Sequence, residues 1–149
     1  MRMPKIYPPA VLLVFLLVAL ALQFLLPLAK IIPSPWNAFG VIFLVAGIAL
    51  DLQADGLFQR AGTTVQPDGE PSALLTRSVF RLSRNPMYLG LALILFGVAF
   101  LFGSLTPLLT VPLFVLLIEK RFILAEEKML EKEFRQAYLE YKQTVRRWI

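Results

Sequence analysis

The chain has 149 residues, of which 58% are hydrophobic and 17% charged, whereas soluble domains average roughly 45–50% apolar and about a quarter charged. The length predicts a single domain spanning residues 1–149. The absence of Cys and His excludes a disulfide framework, thiolate or imidazole metal sites and His-based catalytic triads. We interpret the formal charge of +5 as a sign of membrane topology and not of nucleic-acid binding, because the basic residues lie where the positive-inside rule places them.

The first apolar segment runs from about residue 9 to 29 and contains no charged residue. Twenty or so apolar residues match a hydrocarbon core of roughly 30 Å, so the segment predicts a membrane helix. The alternative is a cleaved signal peptide, with Arg2 and Lys5 as its basic start and Ala19-Leu20-Ala21 as its cleavage site. The apolar run continues past that tripeptide, which favours the membrane helix.

The second segment, residues 36–52, begins with Trp36, as expected for an aromatic anchor at the membrane interface. Gly40 and Gly47 fall on one face of it, which predicts close packing against another helix. The connection that follows, residues 53–86, is rich in turn-forming residues. Within it, Thr63-Thr64-Val65 is a candidate for a short extended piece.

Two closely linked apolar segments come next, residues 87–102 and 105–118, and they predict a short helical hairpin in the membrane. No helix breaker separates this hairpin from Glu119, Lys120 and Arg121. The tail, residues 119–149, is therefore predicted to continue as a helix into water. The overall expectation is an all-α, polytopic membrane protein with about four membrane helices and a cytoplasmic helical tail.

The distribution of basic residues predicts the orientation. Of the 15 Lys and Arg residues, 14 lie before the first segment, in the second connection or in the tail, and one lies in the first connection. The positive-inside rule then places both termini and the long connection on the cytoplasmic face, which is that of the inner or plasma membrane in a prokaryote.

A first polar cluster, Arg84-Asn85-Pro86-Met87-Tyr88-Leu89-Gly90, lies where the third apolar segment begins. Pro86 suits the first turn of a helix, and Asn85 is a candidate for its N-terminal cap. A purely structural interpretation stays open, in which Arg84 and Tyr88 only anchor the helix at the interface.

A second cluster lies in the tail, where apolar residues at helical spacing form a stripe that includes Glu127. A carboxylate in such a stripe needs a cationic partner, and the chain offers Arg77, Arg84, Arg121 and the pair Arg146-Arg147. The alternative is an amphipathic helix lying on the membrane surface with Glu127 at the edge of the stripe. Glu131 and Arg135 are spaced to form a helix-supporting ion pair.

The two clusters together resemble a known family. Residues 84–90 are similar to the Arg-His-Pro-x-Tyr-x-Gly motif of the isoprenylcysteine carboxyl methyltransferases and the related phospholipid methyltransferases. The tail resembles the C-terminal signature of these enzymes through Glu126-Glu127, Leu130, Phe134, Tyr138, Tyr141, Val145 and Arg147-Trp148. The likeness covers roughly residues 63–149, with both motifs in the expected order. Asn85 replaces the His of the eukaryotic enzymes, and Arg135 stands where a Gly is usual.

The resemblance implies a membrane enzyme that binds S-adenosylmethionine at the cytoplasmic face and methylates a lipophilic small molecule or lipid. It assigns catalytic roles to Arg84 and Glu127. It assigns cofactor binding to a larger set, comprising Asn85, Pro86, Tyr88, Glu126, Tyr138, Tyr141 and Arg147. These residue types suit a cofactor that carries a carboxylate, an ammonium and a sulfonium.

Two other functions stay open from the sequence. The tail is also similar to that of membrane sterol reductases, which use a nicotinamide cofactor, although those enzymes are larger. A small membrane scaffold without catalytic activity is the second alternative. A transporter is disfavoured, because the first segment has no ionisable residue at mid-membrane and Asp51 falls at the end of the second.

Overall fold

The computed structural model describes residues 7–63 and 72–149. Its α-helices are Pro8–Leu25 (α1), Gly40–Ala61 (α2), Pro86–Phe102 (α3), Leu105–Ile118 (α4) and Leu124–Thr144 (α5). Short 3₁₀ turns span Trp36–Phe39 and Ser78–Arg81, and a π-helical turn, Glu119–Ile123, joins α4 to α5. Neither described range contains a β-strand, so the predicted all-α class is confirmed. Most of the candidate extended piece, Thr63-Thr64-Val65, lies outside the described residues.

Two helical stretches are long and apolar enough to cross a membrane, Pro8–Leu25 and Trp36–Ala61. Pro86–Phe102 is apolar but shorter. Large apolar side chains along α1 and α2 are exposed, among them Leu17 and Ile42. Rows of exposed apolar side chains on apolar helices fit a lipid environment and not water. The chain is therefore associated with the membrane, and crossing by α3 and α4 stays a prediction.

Helix boundaries follow the breakers in the sequence. Pro8 occupies the first turn of α1, which ends at Leu25 and not near residue 29 because Pro27 disfavours helical geometry in the residue before it. The second helix continues past residue 52 to Ala61 and ends at Gly62, whose φ is 61°. The charged residues after 50 end the apolar tract but not the helix, so the first part of the predicted connection 53–86 is helical.

Glycines bring α2 and α3 into close contact. A Cβ atom added to Gly40 would lie 2.5 Å from the carbonyl oxygen of Gly97, and one added to Gly47 would lie 2.6 Å from that of Gly90. The close packing predicted for Gly40 and Gly47 is thus confirmed, with two glycines of α3 as the opposing surface. The third helix also contacts α1 and α4, so it lies at the centre of the bundle.

The hairpin turn between α3 and α4 is bound to the first connection. The N–H groups of Ile31 and Ile32 donate to the carbonyl of Gly103 at 2.9 and 3.0 Å, and that of Leu105 donates to Ala29 at 3.1 Å. Gly103 has a φ of 72°, which lets the chain reverse between the helices. Both turns lie at one end of the bundle, and the start of α1, the end of α2 and the start of α3 lie at the other.

The last helix is bent at Arg135, which has φ 44° and ψ −116°. The predicted ion pair of Glu131 with Arg135 is not formed, because this backbone conformation interrupts the helical spacing; Glu131 pairs with Lys142 instead. The bend lets Tyr138 and Tyr141 pack with the end of α2 and the 3₁₀ turn Ser78–Arg81. The second half of the tail is therefore part of the packed structure.

Candidate active site

A cavity of about 680 Å³ opens at the end of the bundle opposite the hairpin turn. Its wall combines the start of α1, the second half of α2, the start of α3, parts of α5 and residues 73–75. Six of the sequence-predicted site residues line it: Arg84, Asn85, Pro86, Tyr88, Glu126 and Tyr141. Glu127, Tyr138 and Arg147 are absent from the wall, although they belong to the same structural unit. The two sequence clusters therefore meet at one cavity.

Arg84 enters the cavity wall just before α3. Its backbone N–H donates to the carbonyl of Arg146 at 3.0 Å, which fixes its position against the C-terminal segment. Its side chain is 7% exposed, and Nη2 lies 3.2 Å from Oε1 of Glu127. The Nε and Nη1 atoms are buried and have no hydrogen-bond partner among the described residues. Such donors are costly in a protein interior unless another group accepts their hydrogen bonds.

Glu127 lies behind Arg84 and is 5% exposed. Arg147 donates to both of its carboxylate oxygens, from Nε at 2.9 Å and from Nη2 at 2.8 Å. The predicted cationic partner of Glu127 is thus confirmed as two arginines, Arg84 and Arg147. Burial raises the pKa of Glu127, but the hydrogen bonds from Arg147 and the charge of Arg84 outweigh burial and hold the pKa below its usual value.

The C-terminal segment closes this network. Nη1 of Arg147 lies 2.7 Å from Glu119 Oε1, and the indole N–H of Trp148 donates to Glu119 Oε2 at 3.0 Å. The carbonyl of Arg147 accepts hydrogen bonds from the Ser83 hydroxyl and from the Asn85 amide, both at 3.0 Å. The predicted side-chain cap by Asn85 is wrong, because its amide binds the C-terminal segment and makes no capping hydrogen bond with α3.

Two further predicted residues are joined in the cavity wall. The Tyr88 hydroxyl donates to Glu126 Oε1 at 2.5 Å. Burial raises the pKa of Glu126 to about 7, although the hydrogen bond from Tyr88 acts in the opposite direction. Glu126 is therefore a carboxyl group whose charge changes near neutral pH.

The tail tyrosines have different surroundings. The Tyr141 hydroxyl donates to the Phe80 carbonyl at 2.6 Å, which fixes its ring in the cavity wall. Tyr138 is 1% exposed and packs behind that wall. Burial raises its pKa to about 12, with the nearby Glu127 charge acting in the same direction. Tyr138 thus supports the site from the core.

The structure adds Asp51 and Asp55 to the cavity wall, and neither was a predicted site residue. Asp55 accepts a hydrogen bond from Gln59 Nε2 at 2.6 Å. The Oδ1 atom of Asp51 is buried and has no partner among the described residues. The available signal was a pair of aspartates four residues apart at the end of an apolar helix. In the described part of the chain, no three acidic residues are close enough to hold a metal ion.

Comparison with known proteins gives two matches. The phospholipid methyltransferase family matches residues 36–137 of the chain. An uncharacterised protein of Haemophilus influenzae is 43% identical over 63 residues, which are 42% of this chain and 100% of that protein. No solved structure matches the chain.

Proposed function

This chain belongs to the phospholipid methyltransferase family, and we propose that it is an integral membrane enzyme that uses S-adenosylmethionine to methylate a lipophilic acceptor at the cytoplasmic face. The cofactor supplies an electrophilic methyl group on a sulfonium. Methyl transfer is a displacement in which positioning and electrostatics matter more than bond making by the protein. The residues of the cavity wall therefore need to bind charged groups and exclude water.

The proposal rests on the burial and the hydrogen bonds of Arg84 in the cavity wall. Its guanidinium is buried and bonded to Glu127 through Nη2, while Nε and Nη1 lack partners among the described residues. The N–H groups of Nε and Nη1 point in different directions, since Cδ lies between these two nitrogens, so a ligand carboxylate can accept a charge-assisted hydrogen bond from one of them. We assign Arg84 to the carboxylate of the cofactor.

Other wall residues suit the cationic and apolar parts of the same molecule. Glu126 offers a carboxylate to the sulfonium or the ammonium group, and Tyr88 holds it in place through the short hydrogen bond. The ring of Tyr141 offers an aromatic face. The cavity volume of about 680 Å³ falls within the roughly 300–1,000 Å³ of small-molecule sites.

Glu127 has a positioning role in this proposal. It lies behind the wall, and its contacts are with Arg84 and Arg147. Since one carboxylate serves two arginines, Arg84 keeps part of its positive charge for a ligand. Asn85 and Arg147 then fix the C-terminal segment against Arg84, and Tyr138 packs behind it.

The surface around the cavity supports a lipophilic acceptor. The exposed apolar faces of α1 and α2 continue to the wall through Pro9 and Leu52. A hydrocarbon chain can therefore stay in lipid while its polar end occupies the cavity. The asymmetry of Lys and Arg supports a cytoplasmic location for this end of the bundle.

The test is calorimetric titration of S-adenosylmethionine into the detergent-purified protein, with a nicotinamide cofactor as the control ligand. We expect saturable binding of S-adenosylmethionine and none of the nicotinamide. Arg84→Ala is expected to weaken binding by about 100-fold, since it removes a charge-assisted hydrogen bond of roughly 2–3 kcal/mol.

Arg81→Ala is the matched control, because Arg81 is exposed, lies outside the cavity wall and is close to Arg84 in sequence. It is expected to bind the cofactor like the parent. Absence of binding to the parent refutes the methyltransferase assignment. Equal binding by Arg84→Ala and the parent refutes the role of Arg84 alone.

A further inference from the structure

We propose that Glu119 is a positioning residue of the cofactor site, on which it acts through Arg147. The π-helical turn that begins at Glu119 aligns this residue with Glu127, so that one guanidinium binds both carboxylates. Glu119 itself lies outside the cavity wall. The effect on the cofactor rests on the proposed function, whereas the alignment of the two carboxylates does not.

The buried face of α4 continues through the π-helical turn into α5. Phe114, Ile118 and Ile123 are each 0% exposed and belong to one hydrophobic cluster, and Glu127 is 5% exposed. These positions follow one another at intervals of four, five and four residues. In an α-helix each residue adds about 100°, so an interval of four ends about 40° from its start and an interval of five about 140° away. An unbroken α-helix would therefore turn part of this face out of the core.

The π-helical turn takes up the additional residue in the interval of five. The N–H group of Leu124 donates to the carbonyl of Glu119, five residues earlier, whereas an α-helix joins residues that are four apart. The faces before and after the turn therefore stay in register. Single π-helical turns within α-helices are rare and occur frequently at functional sites, which directs attention to the side chains that this turn aligns.

Two carboxylates are aligned by the turn. Glu119 and Glu127 are eight residues apart in the sequence, an interval that separates two side chains by about 80° around the axis of an α-helix. With one residue taken up by the π-helical turn, the interval is equivalent to seven residues, and the separation falls to about 20° over two turns. Both carboxylates therefore leave the helix on the same side.

The C-terminal segment binds both carboxylates on that side. Nη1 of Arg147 donates to Glu119 Oε1 at 2.7 Å, while Nε and Nη2 donate to the two oxygens of Glu127 at 2.9 and 2.8 Å. The other oxygen of Glu119 accepts from the indole N–H of Trp148 at 3.0 Å. The Trp148 ring also packs against the core cluster of α3 and α4. Glu119 thus holds two consecutive side chains of the segment.

The same segment holds Arg84. The carbonyl of Arg146 accepts from the backbone N–H of Arg84 at 3.0 Å, and the carbonyl of Arg147 accepts from the Asn85 amide at 3.0 Å. A displaced segment therefore displaces the Arg84 guanidinium. Hydrogen bonds to a ligand weaken when their atoms leave the short and nearly linear geometry. Glu119 thus affects cofactor affinity without contacting the cofactor.

Matched deletions in the full chain test the register. Lys120 is an exposed residue of the turn, and its deletion leaves a continuous α-helix with the same buried face. We expect a dissociation constant for S-adenosylmethionine within about threefold of that of the parent, and a Tm within about 2 °C.

Deletion of Lys128, an exposed residue of α5, is the comparison. The chain after it has no additional residue to give up, so either the residues beyond 128 or both Ile123 and Glu127 leave the buried face. We expect binding at least about tenfold weaker and a lower Tm. Failure of this variant to fold agrees with the expectation, because the variant without Lys120 must still fold and bind.

Glu119→Asp tests the positioning role, because it keeps the charge and shortens the side chain by one methylene group. The shorter side chain does not hold both Arg147 and Trp148, so we expect about fivefold weaker binding of S-adenosylmethionine in calorimetric titration. In the Arg147→Ala background, the same substitution should change the dissociation constant by less than about twofold, since Glu119 acts through Arg147. A purely stabilising role would lower Tm and leave the affinity of the folded protein unchanged.

The fluorescence of Trp148 gives a measurement that needs no cofactor. The chain has two tryptophans, so Trp36→Phe leaves Trp148 as the single emitter. Its emission maximum should stay in place after deletion of Lys120. It should move to longer wavelength after Glu119→Asp or deletion of Lys128, because the indole loses its acceptor and contacts water.

Several outcomes overturn the inference. If deletion of Lys120 costs as much affinity and Tm as deletion of Lys128, the turn does not take up an additional residue. Unchanged affinity in Glu119→Asp, or an equal loss with and without Arg147, removes the positioning role. If the parent does not bind S-adenosylmethionine, the proposed function fails. The emission of Trp148 and the Tm of the two deletions then still decide whether the π-helical turn and Glu119 hold the C-terminal segment.

Discussion

The packing of α2 on α3 predicts opposite effects for the same substitution at two glycines of one helix. Gly47→Ala places a methyl group 2.6 Å from the carbonyl oxygen of Gly90, about 0.8 Å short of the 3.4 Å at which ordinary contact begins. The obstruction is backbone, so the two helices must separate. Gly56→Ala meets no atom within 4 Å.

The magnitudes follow from two competing terms. Replacing Gly by Ala inside a helix stabilises by about 0.8–1.0 kcal/mol through helix propensity. Overpacking in a close contact destabilises by roughly 1–3 kcal/mol. Gly56→Ala should therefore stabilise the protein by about 0.5–1 kcal/mol, while Gly47→Ala should destabilise it by about 1–2 kcal/mol.

The assay is thermal unfolding of both variants in the same detergent, followed by circular dichroism. For a chain of this size, 1 kcal/mol shifts Tm by roughly 2–4 °C. Gly56→Ala should thus raise Tm by a few degrees, and Gly47→Ala should lower it by a similar or larger amount. Equal increases in Tm for both variants would refute the close contact of α2 with α3.

Three further outcomes are expected in the tail. Arg135→Gly should stabilise the folded protein by about 1 kcal/mol, because only glycine adopts φ 44° without strain. Lys132→Gly, in ordinary helix, should destabilise it by a similar amount, and thermal unfolding of the two variants measures the difference. The folded protein favours protonated Glu126, because its carboxyl group is buried. The free energy of unfolding is therefore highest below the usual pKa of 4.5 and falls as pH rises to about 7. Ionised Glu126 attracts the cofactor, so affinity measured by titration should rise with pH through about 7 and stay flat in Glu126→Gln. Arg147→Ala should weaken cofactor binding about tenfold, because Glu127 then neutralises Arg84 alone, and Arg147→Lys should recover part of that loss.

The helical class and most boundaries could be predicted because they depend on local signals. Apolar tracts, Pro86 and Gly103 determine where α3 and α4 begin and end, and the structure agrees with the predicted hairpin to within one residue. The predicted end of the second segment at residue 52 is wrong, because the charged residues there end the apolar tract and the helix continues to Ala61. Charge on a helix changes which surface faces water, whereas a breaker such as Gly62 ends the helix.

The bend at Arg135 could not be predicted from residue preferences, since arginine favours ordinary helix. Tertiary packing overrides that preference: Tyr138 and Tyr141 are buried against the end of α2 and the 3₁₀ turn, and a straight helix would point its second half elsewhere. The resemblance did place a glycine at this position, which is the residue that the observed backbone favours.

The site residues differ in how readily the sequence alone identifies them. Arg84, Tyr88 and Glu126 belong to local motifs and line the cavity together. Asp51 belongs to no motif, and its proximity to Gly90 depends on how α2 crosses α3. The spacing of Gly40 and Gly47 indicates which face of α2 packs closely, but it does not indicate which residue of α3 each position meets, so the neighbour of Asp51 requires the three-dimensional packing.

The arrangement of charge explains why the two clusters must meet. Arg84 alone in a buried wall would be an uncompensated charge, and Arg84 paired only with Glu127 would have little charge left for a ligand. Arg147 binds both carboxylate oxygens of Glu127, so Glu127 neutralises only part of the charge of Arg84. Glu119 in turn pairs with Arg147. The C-terminal segment, held by Ser83 and Asn85, thereby makes a buried arginine tolerable without neutralising it.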